Sequence, residues 1–361
     1  MGLDVLLYNG LMLATLVAGL AWLTRHRTPR QGLGVLALGA AVAVWAAIGF
    51  GRRFFPTAGL AAYGLFIYAP VFLLGVGWLL RRNAPRRAIA AVVVALLAIA
   101  AGVDGFGIEP TWLEVTHREI VTPRVTQPVR IVVIADLQTD RIGPYERSVL
   151  DRALDEQPDL LLFAGDYLDG LDGASLSAAQ ADLKRLLTEV QPDGKLAAFA
   201  VKGNVDSAGW AEVFDNTPVR TVHHGESFTL GQVVLTCLAL EQSYDTGLVV
   251  NRPREAEQRF HLVLGHVPNF ALGEIDAELL LAGHTHGGQV RLPMIGPLIT
   301  LCAVPRSWAA GMTQLESTRR LIVSRGIGME RGRAPRVRFL CRPELVVIDV
   351  LPTDAHGGPG A

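Results

Sequence analysis

In the stretch Glu278-Leu-Leu-Leu-Ala-Gly-His284-Thr-His286, an uninterrupted apolar run ends in a glycine and two histidines. Short apolar runs of this kind are typical of strands that are buried on both faces, as in a largely parallel sheet. In open α/β sheets, functional side chains gather at the carboxyl ends of such strands. The stretch therefore predicts a buried strand that presents two imidazoles at the functional edge of a sheet.

Four other stretches share this design of an apolar run that ends in a polar side chain. They are Arg130-Ile-Val-Val-Ile-Ala-Asp136, Asp159-Leu-Leu-Leu-Phe-Ala-Gly-Asp166, Leu196-Ala-Ala-Phe-Ala-Val-Lys-Gly-Asn204 and His261-Leu-Val-Leu-Gly-His266. Helical patterns near Pro144–Glu156 and Leu176–Val190 separate the first three of these strands. This alternation predicts an α/β sheet. Later stretches, Ser227–Leu238, Arg319–Ser324 and Glu344–Val350, are expected to be further strands, several of them antiparallel.

The polar residues at the five strand ends have the chemistry of metal ligands. A single acid after a strand is usually a turn or a helix cap, but five strand ends with Asp, Asp, Asn, His and His-x-His do not fit that explanation. Mixed oxygen and imidazole ligands suit Mn²⁺, Fe or Zn²⁺. The three cysteines form no CxxC pair, which excludes a Cys-rich zinc site or a disulfide scaffold. Glycines precede four of the candidate ligands and would let the backbone approach a metal or a substrate closely.

These residues form an ordered series of motifs along the chain. The motifs are Asp136-Leu-Gln138, Gly165-Asp166, Gly203-Asn204-Val-Asp206, Gly265-His266 and Gly283-His284-Thr-His286-Gly-Gly-Gln289. In this order they resemble the calcineurin-like metallophosphoesterases. The opening Ile108-Glu-Pro-Thr-Trp-Leu-Glu-Val115 and the stretch Ser324-Arg-Gly-Ile-Gly328 resemble the membrane-associated bacterial branch of that family. The resemblance covers about residues 108–351 and implies a four-layer α/β/β/α sandwich with two packed sheets.

For the site, the resemblance implies two divalent cations, of Mn, Fe or Zn. The first metal would be bound by Asp136, Gln138, Asp166 and His286, and the second by Asp166, Asn204, His266 and His284. Asp166 would bridge the two cations, which in such sites lie about 3.5–4 Å apart and clamp an in-line displacement at phosphorus. Catalysis would depend on Asp166, Asn204 and His284, through a metal-bound hydroxide and by positioning of the phosphate.

Two positions depart from the family pattern. The first motif usually ends in His, and Gln138 offers an amide oxygen instead, a weaker neutral donor to these metals. The third motif usually has a His where this chain has Val205. That His contacts the phosphate and is a candidate proton donor, and loss of a general acid typically costs about 10²–10⁴-fold in rate. Asp206, the usual partner of that His, is therefore expected to be either structural or ready to orient a restored imidazole.

Several other histidines and arginines have two readings. His223 and His224 occupy a polar turn, where they are solvated or, if the turn folds over the site, supply the missing acid. His261 begins a strand and is expected to be structural. Six arginines occur between Arg325 and Arg342, and the alternation in Arg336-Val-Arg338-Phe predicts a strand with a solvated face. The alternative is a basic rim for phosphate or anionic lipid, with Arg325 as a phosphate-binding candidate.

The first third of the chain predicts a membrane anchor. Four apolar stretches, about Leu3–Leu23, Leu33–Phe50, Leu60–Leu80 and Ala88–Val103, approach the length that spans about 30 Å of hydrocarbon. Their cores contain no Lys, Arg, Glu or His, which argues against an ion path or proton relay. Seven arginines in the first and third loops oppose two in the second. The positive-inside rule then predicts an integral protein of the inner or plasma membrane whose catalytic domain is extracytoplasmic.

Charge and composition complete the predicted domain plan. Residues 1–105 carry a net charge of +7 and the remainder −8, and an acidic soluble part argues against nucleic acid as a partner. We expect a four-helix anchor at 1–105, a linker and lead-in strand at 106–129, the metallophosphoesterase domain at 130–351, and a flexible tail at 352–361.

The sequence thus predicts a membrane-anchored, metal-dependent hydrolase of a phosphodiester or pyrophosphate bond. Its expected partners are the membrane and a phosphorylated small-molecule or lipid substrate, such as a lipid-linked or envelope phosphate. Gln138 and Val205 support an alternative, a metal-binding scaffold or sensor with little or no activity. A transport or signalling component with a regulatory soluble domain is a second alternative, against which the charge-free spans count.

Overall fold

The computed structural model describes residues 2–25 and 29–353. The chain divides into two units, Met1–Ile108 with Gly332–Arg336, and Glu109–Arg331 with Val337–Ala361. The tail predicted at 352–361 lies outside the described residues from 354 onward, as does Arg27 of the first arginine-bearing loop.

The first unit is built from apolar helices. Its α-helices are α1 (Leu3–Arg25), α2 (Pro29–Gly51), α3 (Phe54–Tyr63), α4 (Ala69–Leu80) and α5 (Pro85–Val103). A π-helical turn at Gly64–Tyr68 joins α3 to α4, so that Phe54–Leu80 forms one apolar helix of 27 residues. The last helix extends through Thr111, further than the sequence predicted.

Four helices of this unit are long and apolar enough to cross a membrane, as the four apolar stretches of the sequence predicted. Large apolar side chains lie on their outer surface: Trp45, Trp78 and Leu97 are each more than 60% exposed. In water such a surface would be costly, because each fully exposed large side chain forgoes about 1.5–3 kcal/mol of burial. The four helices are therefore compatible with a membrane anchor.

The second unit contains the remaining helices and all the strands of the described residues. The helices are α6 (Pro144–Asp155), α7 (Gly173–Val190) and α8 (Leu240–Tyr244). The first eight strands are β1 (Glu114–Thr122), β2 (Val129–Ile134), β3 (Leu160–Phe163), β4 (Ala197–Val201), β5 (Val219–Val222), β6 (Glu226–Leu230), β7 (Val233–Cys237) and β8 (Val249–Val250). The other eight are β9 (Phe260–Leu264), β10 (Glu274–Ile275), β11 (Leu279–Ala282), β12 (Arg291–Leu292), β13 (Gly296–Pro297), β14 (Gly311–Gln314), β15 (Arg320–Val323) and β16 (Glu344–Pro352).

Most of these strands form two six-stranded mixed sheets. The first sheet has the order β1-β16-β2-β3-β4-β5, and its neighbours are parallel except for the antiparallel pair β16 and β2. The second sheet has the order β14-β15-β11-β9-β7-β6, with a parallel centre and an antiparallel pair at each edge. The predicted mixture of parallel and antiparallel strands is therefore present in both sheets. β1, from the region predicted as a lead-in, is an edge strand of the first sheet.

The main core lies between the two sheets. Alternate residues of β2 face opposite sides, so Ile131 and Val133 pack in the core that contains side chains of the second sheet, such as Leu262 and Leu281. Val132 and Ile134 face the other way and pack with residues of α6 and α7.

A third cluster covers the outer face of the second sheet, where Val263 and Leu280 pack with Phe270 of a short 3-10 helix at Pro268–Leu272. The outermost layer on this side is thus made of short helical segments, and the layers follow the predicted α/β/β/α order.

The strand structure predicted at Ser227–Leu238 is present as an antiparallel hairpin of β6 and β7, in which Gly231 adopts a φ of +60° and turns the chain. Another local prediction is wrong. The strand expected at Arg336–Phe339 with a solvated face is reduced to one bridge between Val290 and Phe339. Arg338, on the face expected to be solvated, is fully buried.

Candidate metal centre

The candidate ligands follow the carboxyl ends of strands from both sheets. Asp136, Asp166 and Asn204 come after β2, β3 and β4 of the first sheet, while His266 and His284 come after β9 and β11 of the second. The site therefore lies where the carboxyl edges of the two packed sheets meet. This placement explains how residues widely separated in sequence are brought together.

Asp166, His266 and His284 form the centre of the site. One potential ligand atom from each lies within 4.8 Å of those of the other two. The His266 Nε2 atom is 3.1 Å from Asp166 Oδ2 and 2.9 Å from the Asn204 side-chain oxygen. The structure thus assembles the four residues assigned to the second metal position.

The orientation of His266 suits it for metal binding through Nε2. Its Nδ1–H donates to the Ala164 carbonyl oxygen at 2.7 Å. Such a bond fixes the tautomer and ring direction of a ligating histidine, and leaves the other nitrogen for the metal. Asp136, which is fully buried, accepts the His284 backbone N–H at 2.9 Å and 3.0 Å on its two carboxylate oxygens.

Polar atoms assigned to the first metal position lack other partners. Within the described residues, both ring nitrogens of His286 and the Oε1 atom of Gln138 are buried without a hydrogen bond. Burial of an unsatisfied polar group usually costs about 1–3 kcal/mol. A cation bound by these atoms, together with Asp136 and Asp166, would remove that cost. The donor set of carboxylates, amide oxygens and imidazoles therefore fits divalent metals.

Five of the seven predicted ligands have left-handed backbone conformations. The φ angles of Asp136, Gln138, Asp166, His284 and His286 lie between +31° and +69°. Residues other than glycine adopt such angles rarely, and strained conformations cluster at active sites and ligand clamps. The backbone conformation at these five positions therefore agrees with a functional role.

Two glycines allow the ligand-bearing loops to approach each other. A Cβ atom on Gly203 would lie 2.1 Å from the Asp166 Oδ1 atom, and one on Gly326 would lie 2.7 Å from the Asp136 Cβ atom. Gly326 also has a φ of +70°, which side chains disfavour. Gly203 is one of the four glycines that precede candidate ligands, whereas no close approach was predicted at Gly326.

The ionisable groups of the centre shift one another's pKa values through burial and charge. Burial raises the pKa of Asp136 to about 7, with Asp166 adding to the shift and His266 opposing it. Burial opposes protonation of His266, but Asp166 and Asp136 outweigh it and raise the pKa of His266 to about 9. Burial lowers the pKa of His284 to about 4 and that of His286 well below its usual range, with nearby positive charge contributing to both shifts. Neutral imidazoles at these two positions keep their lone pairs available for a cation.

The open side of the centre is formed by the second metal position. Asn204 is exposed and His284 is half-buried, whereas Asp136, Asp166 and His266 are buried. A substrate would therefore approach past the Asn204 amide and the His284 ring. This is the side on which the sequence predicted phosphate positioning.

Val205 and Asp206 take part in hydrogen bonds between carboxylates and backbone N–H groups of the site. The Val205 N–H donates to Asp166 Oδ1 at 2.9 Å. The Asp206 carboxylate accepts N–H bonds from Asp166 at 2.9 Å, Tyr167 at 2.7 Å and Gly203 at 2.7 Å. Asp206 thus fastens the loop after β3 to the loop after β4, and the structural one of its two expected roles is the one that these contacts support.

Other residues singled out in the sequence have structural partners. The Arg325 guanidinium lies 2.8 Å from Glu114 and 3.2 Å from Glu344, so its charge is already paired and the structure gives no support to its phosphate-binding role. The His261 ring contacts the Thr236 hydroxyl at 2.8 Å and the Asp276 carbonyl at 2.7 Å, as expected of a structural histidine.

His223 and His224 are exposed in the turn between β5 and β6, as predicted. The His223 ring lies 5.3 Å from that of Trp210. The described contacts do not connect either histidine to the metal centre.

Two acidic residues near the centre were not identified from the sequence. Asp169 accepts a hydrogen bond from the Gln138 amide at 3.0 Å, and the Glu330 carboxyl group lies near the same side chain. Burial, followed by Asp169 and Asp166, raises the pKa of Glu330 to about 7. Asp169 lies only three residues after the ligand Asp166, but its type and spacing alone are equally typical of a turn.

Arg338 supports the loop that touches Asp136. Its guanidinium donates to the carbonyl oxygens of Arg325 at 2.8 Å, Gly328 at 2.9 Å and Cys341 at 3.0 Å. The supported loop in turn donates from the Gly328 N–H to the Asp136 carbonyl oxygen at 2.7 Å. A fully buried arginine with its donors satisfied by carbonyls cannot be inferred from sequence alternation.

A two-sheet sandwich with such ligands at its strand ends defines the class of metal-dependent phosphoesterases, and comparison with known proteins gives the same class. Residues 129–288 match the calcineurin-like phosphoesterase family. The chain is 30% identical over 279 residues to YkuE of Bacillus subtilis (strain 168), named an uncharacterized metallophosphoesterase, with 71% of this chain and 93% of YkuE covered. It is 28% identical over 283 residues to the phosphodiesterase YaeI of Escherichia coli (strain K12), with 71% of this chain and 97% of YaeI covered.

The chain therefore belongs to the calcineurin-like metallophosphoesterases, a family of hydrolases that act on phosphoester bonds. Four helices that are apolar enough to span a membrane precede the family domain.

Proposed function

We propose that this protein is a membrane-anchored hydrolase that cleaves a phosphodiester or pyrophosphate bond with two divalent metal ions. The observation that carries the proposal is the convergence of Asp166, His266 and His284 within 4.8 Å, beside buried atoms of Gln138 and His286 that have no hydrogen bond to any described residue. The similarity to YaeI, which is named a phosphodiesterase, supports the choice of bond.

The roles of the protein groups follow from their positions. Bound at these residues, two divalent cations would supply Lewis acidity toward the phosphoryl group and acidify a water molecule. Asp166 would bridge the two metal positions from the buried floor of the site. Asn204 and His284, at the open side, would orient the phosphate. Val205 offers no proton to the leaving group, so substrates whose leaving oxygen departs readily as an anion, such as a pyrophosphate or an aryl ester, suit this site best.

The location of the substrate is inferred from the anchor. The helices and the phosphoesterase domain belong to one chain and adjoin at Ile108 and Glu109. A site tethered to the bilayer favours a lipid-linked or envelope phosphate over a freely diffusing substrate. The seven arginines in the first and third loops, against two in the second, support an extracytoplasmic site in the inner or plasma membrane.

Turnover by the full chain tests the proposed activity. The protein purified in detergent, stripped with a chelator and reloaded with Mn²⁺, should hydrolyse bis-p-nitrophenyl phosphate, and Asp166→Asn should abolish turnover. Asp193→Asn is the matched control, because Asp193 is exposed and accepts only a local bond, from the Gly194 N–H at 2.8 Å. Stoichiometric metal without turnover of any phosphodiester or pyrophosphate would instead favour the scaffold or sensor, the alternative that Gln138 and Val205 support.

A fusion tests the topology separately. A reporter that is active only outside the cytoplasm, fused after residue 351, should be active. Moving two arginines from the Arg81–Arg87 loop to the loop near Arg52 should weaken that orientation, because the charge bias is its basis. Activity of a cytoplasmic reporter at the same fusion point would refute the proposed orientation.

A further inference from the structure

Gln138 occupies a position where its amide group has one defined direction. The side chain is fully buried. Its Nε2 atom donates to Asp169 Oδ2 at 3.0 Å, and the Glu330 carboxyl group lies close enough to the same side chain for the amide to oppose the rise in its pKa. Its Oε1 atom has no partner among the described residues. The hydrogen bond of this amide within the described residues is therefore made by its nitrogen.

The contact with Asp169 fixes that direction. An ionised carboxylate only accepts hydrogen bonds, whereas an amide group has a donating NH₂ and an accepting oxygen. The NH₂ group of Gln138 must therefore face Asp169, and the oxygen must face away from it. Of the two ends of an amide, only the oxygen binds a metal ion. A reversed amide would present N–H groups to a cation and repel it.

Hydrogen bonds join the segment Glu330–Arg331 to the loops of the site. The Arg331 N–H donates to Asp169 Oδ2 at 2.9 Å, and the Glu330 N–H donates to Gln289 Oε1 at 2.9 Å. The Arg331 Nε atom donates to the Gln138 carbonyl oxygen at 2.9 Å. Arg331 is thus held against the loops that carry Asp169 and Gln138, and the adjacent Glu330 backbone is held by Gln289.

We propose that Asp169 and Glu330 are positioning residues that direct the Gln138 oxygen to the first metal position and thereby make it a site for Mn²⁺ rather than Zn²⁺. This inference rests on the proposed function, because it assumes a metal at that position. Its ligands would be the oxygens of Asp136, Gln138 and Asp166 and one imidazole, that of His286. Carboxylate and carbonyl oxygens suit Mn²⁺, whereas imidazoles favour Zn²⁺. Gln138→His should therefore raise the affinity for Zn²⁺ relative to Mn²⁺ at this position, by about tenfold or more.

Metal titration of the full chain in detergent tests the positioning role. Mn²⁺ binding is followed by the loss of the free-ion electron paramagnetic resonance signal, with Zn²⁺ as competitor. Asp169→Asn and Glu330→Gln each allow the Gln138 amide to reverse, so one of the two Mn²⁺ sites should weaken by about 10- to 100-fold, as loss of a supporting partner does elsewhere. The other site should be unchanged. Glu241→Gln is the matched control, because Glu241 is exposed on α8.

The same two substitutions in a Gln138→Glu background distinguish positioning from a general effect of charge or folding. A carboxylate at position 138 has oxygens on both sides and needs no orientation, and the new amide that either substitution introduces could donate to it. We therefore expect Asp169→Asn and Glu330→Gln to leave Mn²⁺ affinity unchanged or higher in that background. An equal loss in both backgrounds would overturn the inference, because lost negative charge or lost structure lowers the affinity whatever side chain stands at position 138.

The outcomes also separate this inference from the proposed function. Two bound Mn²⁺ ions with no turnover would refute the proposed activity and leave the positioning role to be decided by the variants. Two bound Mn²⁺ ions with turnover and unchanged affinity in Asp169→Asn and Glu330→Gln would refute the positioning role alone. If the wild-type protein bound no Mn²⁺, both proposals would fail.

Discussion

The stability that the protein should lose on substitution of Asp206 can be calculated from the hydrogen bonds of this residue. Its Oδ2 atom accepts the N–H groups of Asp166 and Gly203, at 2.9 Å and 2.7 Å, and its Oδ1 atom accepts that of Tyr167 at 2.7 Å. In Asp206→Asn, the amide oxygen can keep the first two bonds, but the NH₂ group then faces the Tyr167 N–H. One bond to a charged acceptor is lost, which costs about 1.5–3 kcal/mol. Asp206→Ala loses all three bonds, about 4 kcal/mol or more, a large fraction of the stability of an ordinary domain.

Hydrogen exchange of the backbone amides is the assay for this prediction. In the metal-free full chain in detergent, the Tyr167 and Gly203 amides of Asp206→Asn should exchange about 10- to 100-fold faster, the range that corresponds to the expected loss. Asp193→Asn, which removes a charge from an exposed residue, should stay within about 0.5 kcal/mol of wild type. Unchanged exchange at both amides in Asp206→Asn would refute the account of Asp206 as a fastener of the two loops. Lost turnover with unchanged exchange would mean that Asp206 takes part in the chemistry.

Three further predictions follow from the same site and its surroundings. Asp166→Ala should lose most of the bound metal by elemental analysis, because that carboxylate is assigned to both positions, and full retention would contradict the assignment. Wild type should hydrolyse aryl phosphodiesters far faster than alkyl ones, and similar rates for both would show that another acid is present. Val205→His should raise the rate for alkyl substrates more than that for aryl substrates. The gain should be about 10²-fold rather than the upper 10⁴-fold of general acid catalysis, because the carboxylate of Asp206 is already engaged. Burial lowers the pKa of His261, so its stabilising contribution is complete above the unfolded value of about 6.5 and is lost as the pH falls toward the folded value. His261→Gln should therefore lose less stability than wild type between pH 7 and pH 5 in thermal melts, and identical pH profiles would exclude this residue as the cause.

The elements that carry the ligands were predictable because their signal is local. The runs that end at Asp136, Asp166 and His284 are continuous apolar segments, and strands buried on both faces require such segments. The structure begins and ends them within a few residues of the predicted limits. Periodicity could not show that β3 and β11 belong to different sheets. The two-sheet arrangement came from the resemblance to a family, whose motifs record long-range packing that a single strand does not.

The residues missed by the sequence analysis act over long distances in the chain. The contact of Asp169 with the Glu330–Arg331 segment joins loops from the first sheet and from beyond β15. Arg338 was predicted on a solvated face because charged residues are usually exposed. Its burial depends on carbonyl oxygens that only the folded loop brings together. Such polar networks have no periodicity. Sequence patterns therefore predict the strands but not the residues, such as Asp169 and Arg338, that hold the loops after the strands in place.

The left-handed backbone at the ligand positions shows where local preference and function disagree. Asp136, Asp166 and His286 hold positive φ angles that glycine would adopt without strain, at a cost of order 1 kcal/mol each. Glycines do occur beside them, at Gly165 and Gly287, also with positive φ angles. The chain could therefore have placed glycine throughout these turns, and it has side chains there instead. The fold can sustain this strain because the packed sheets on either side fix the ends of the loops. In return, each strained position directs a carboxylate, an amide or an imidazole into one site. Agreement between propensity and structure thus marks the strands, and five of the described residues that depart from propensity are candidate ligands of the centre that the strands position.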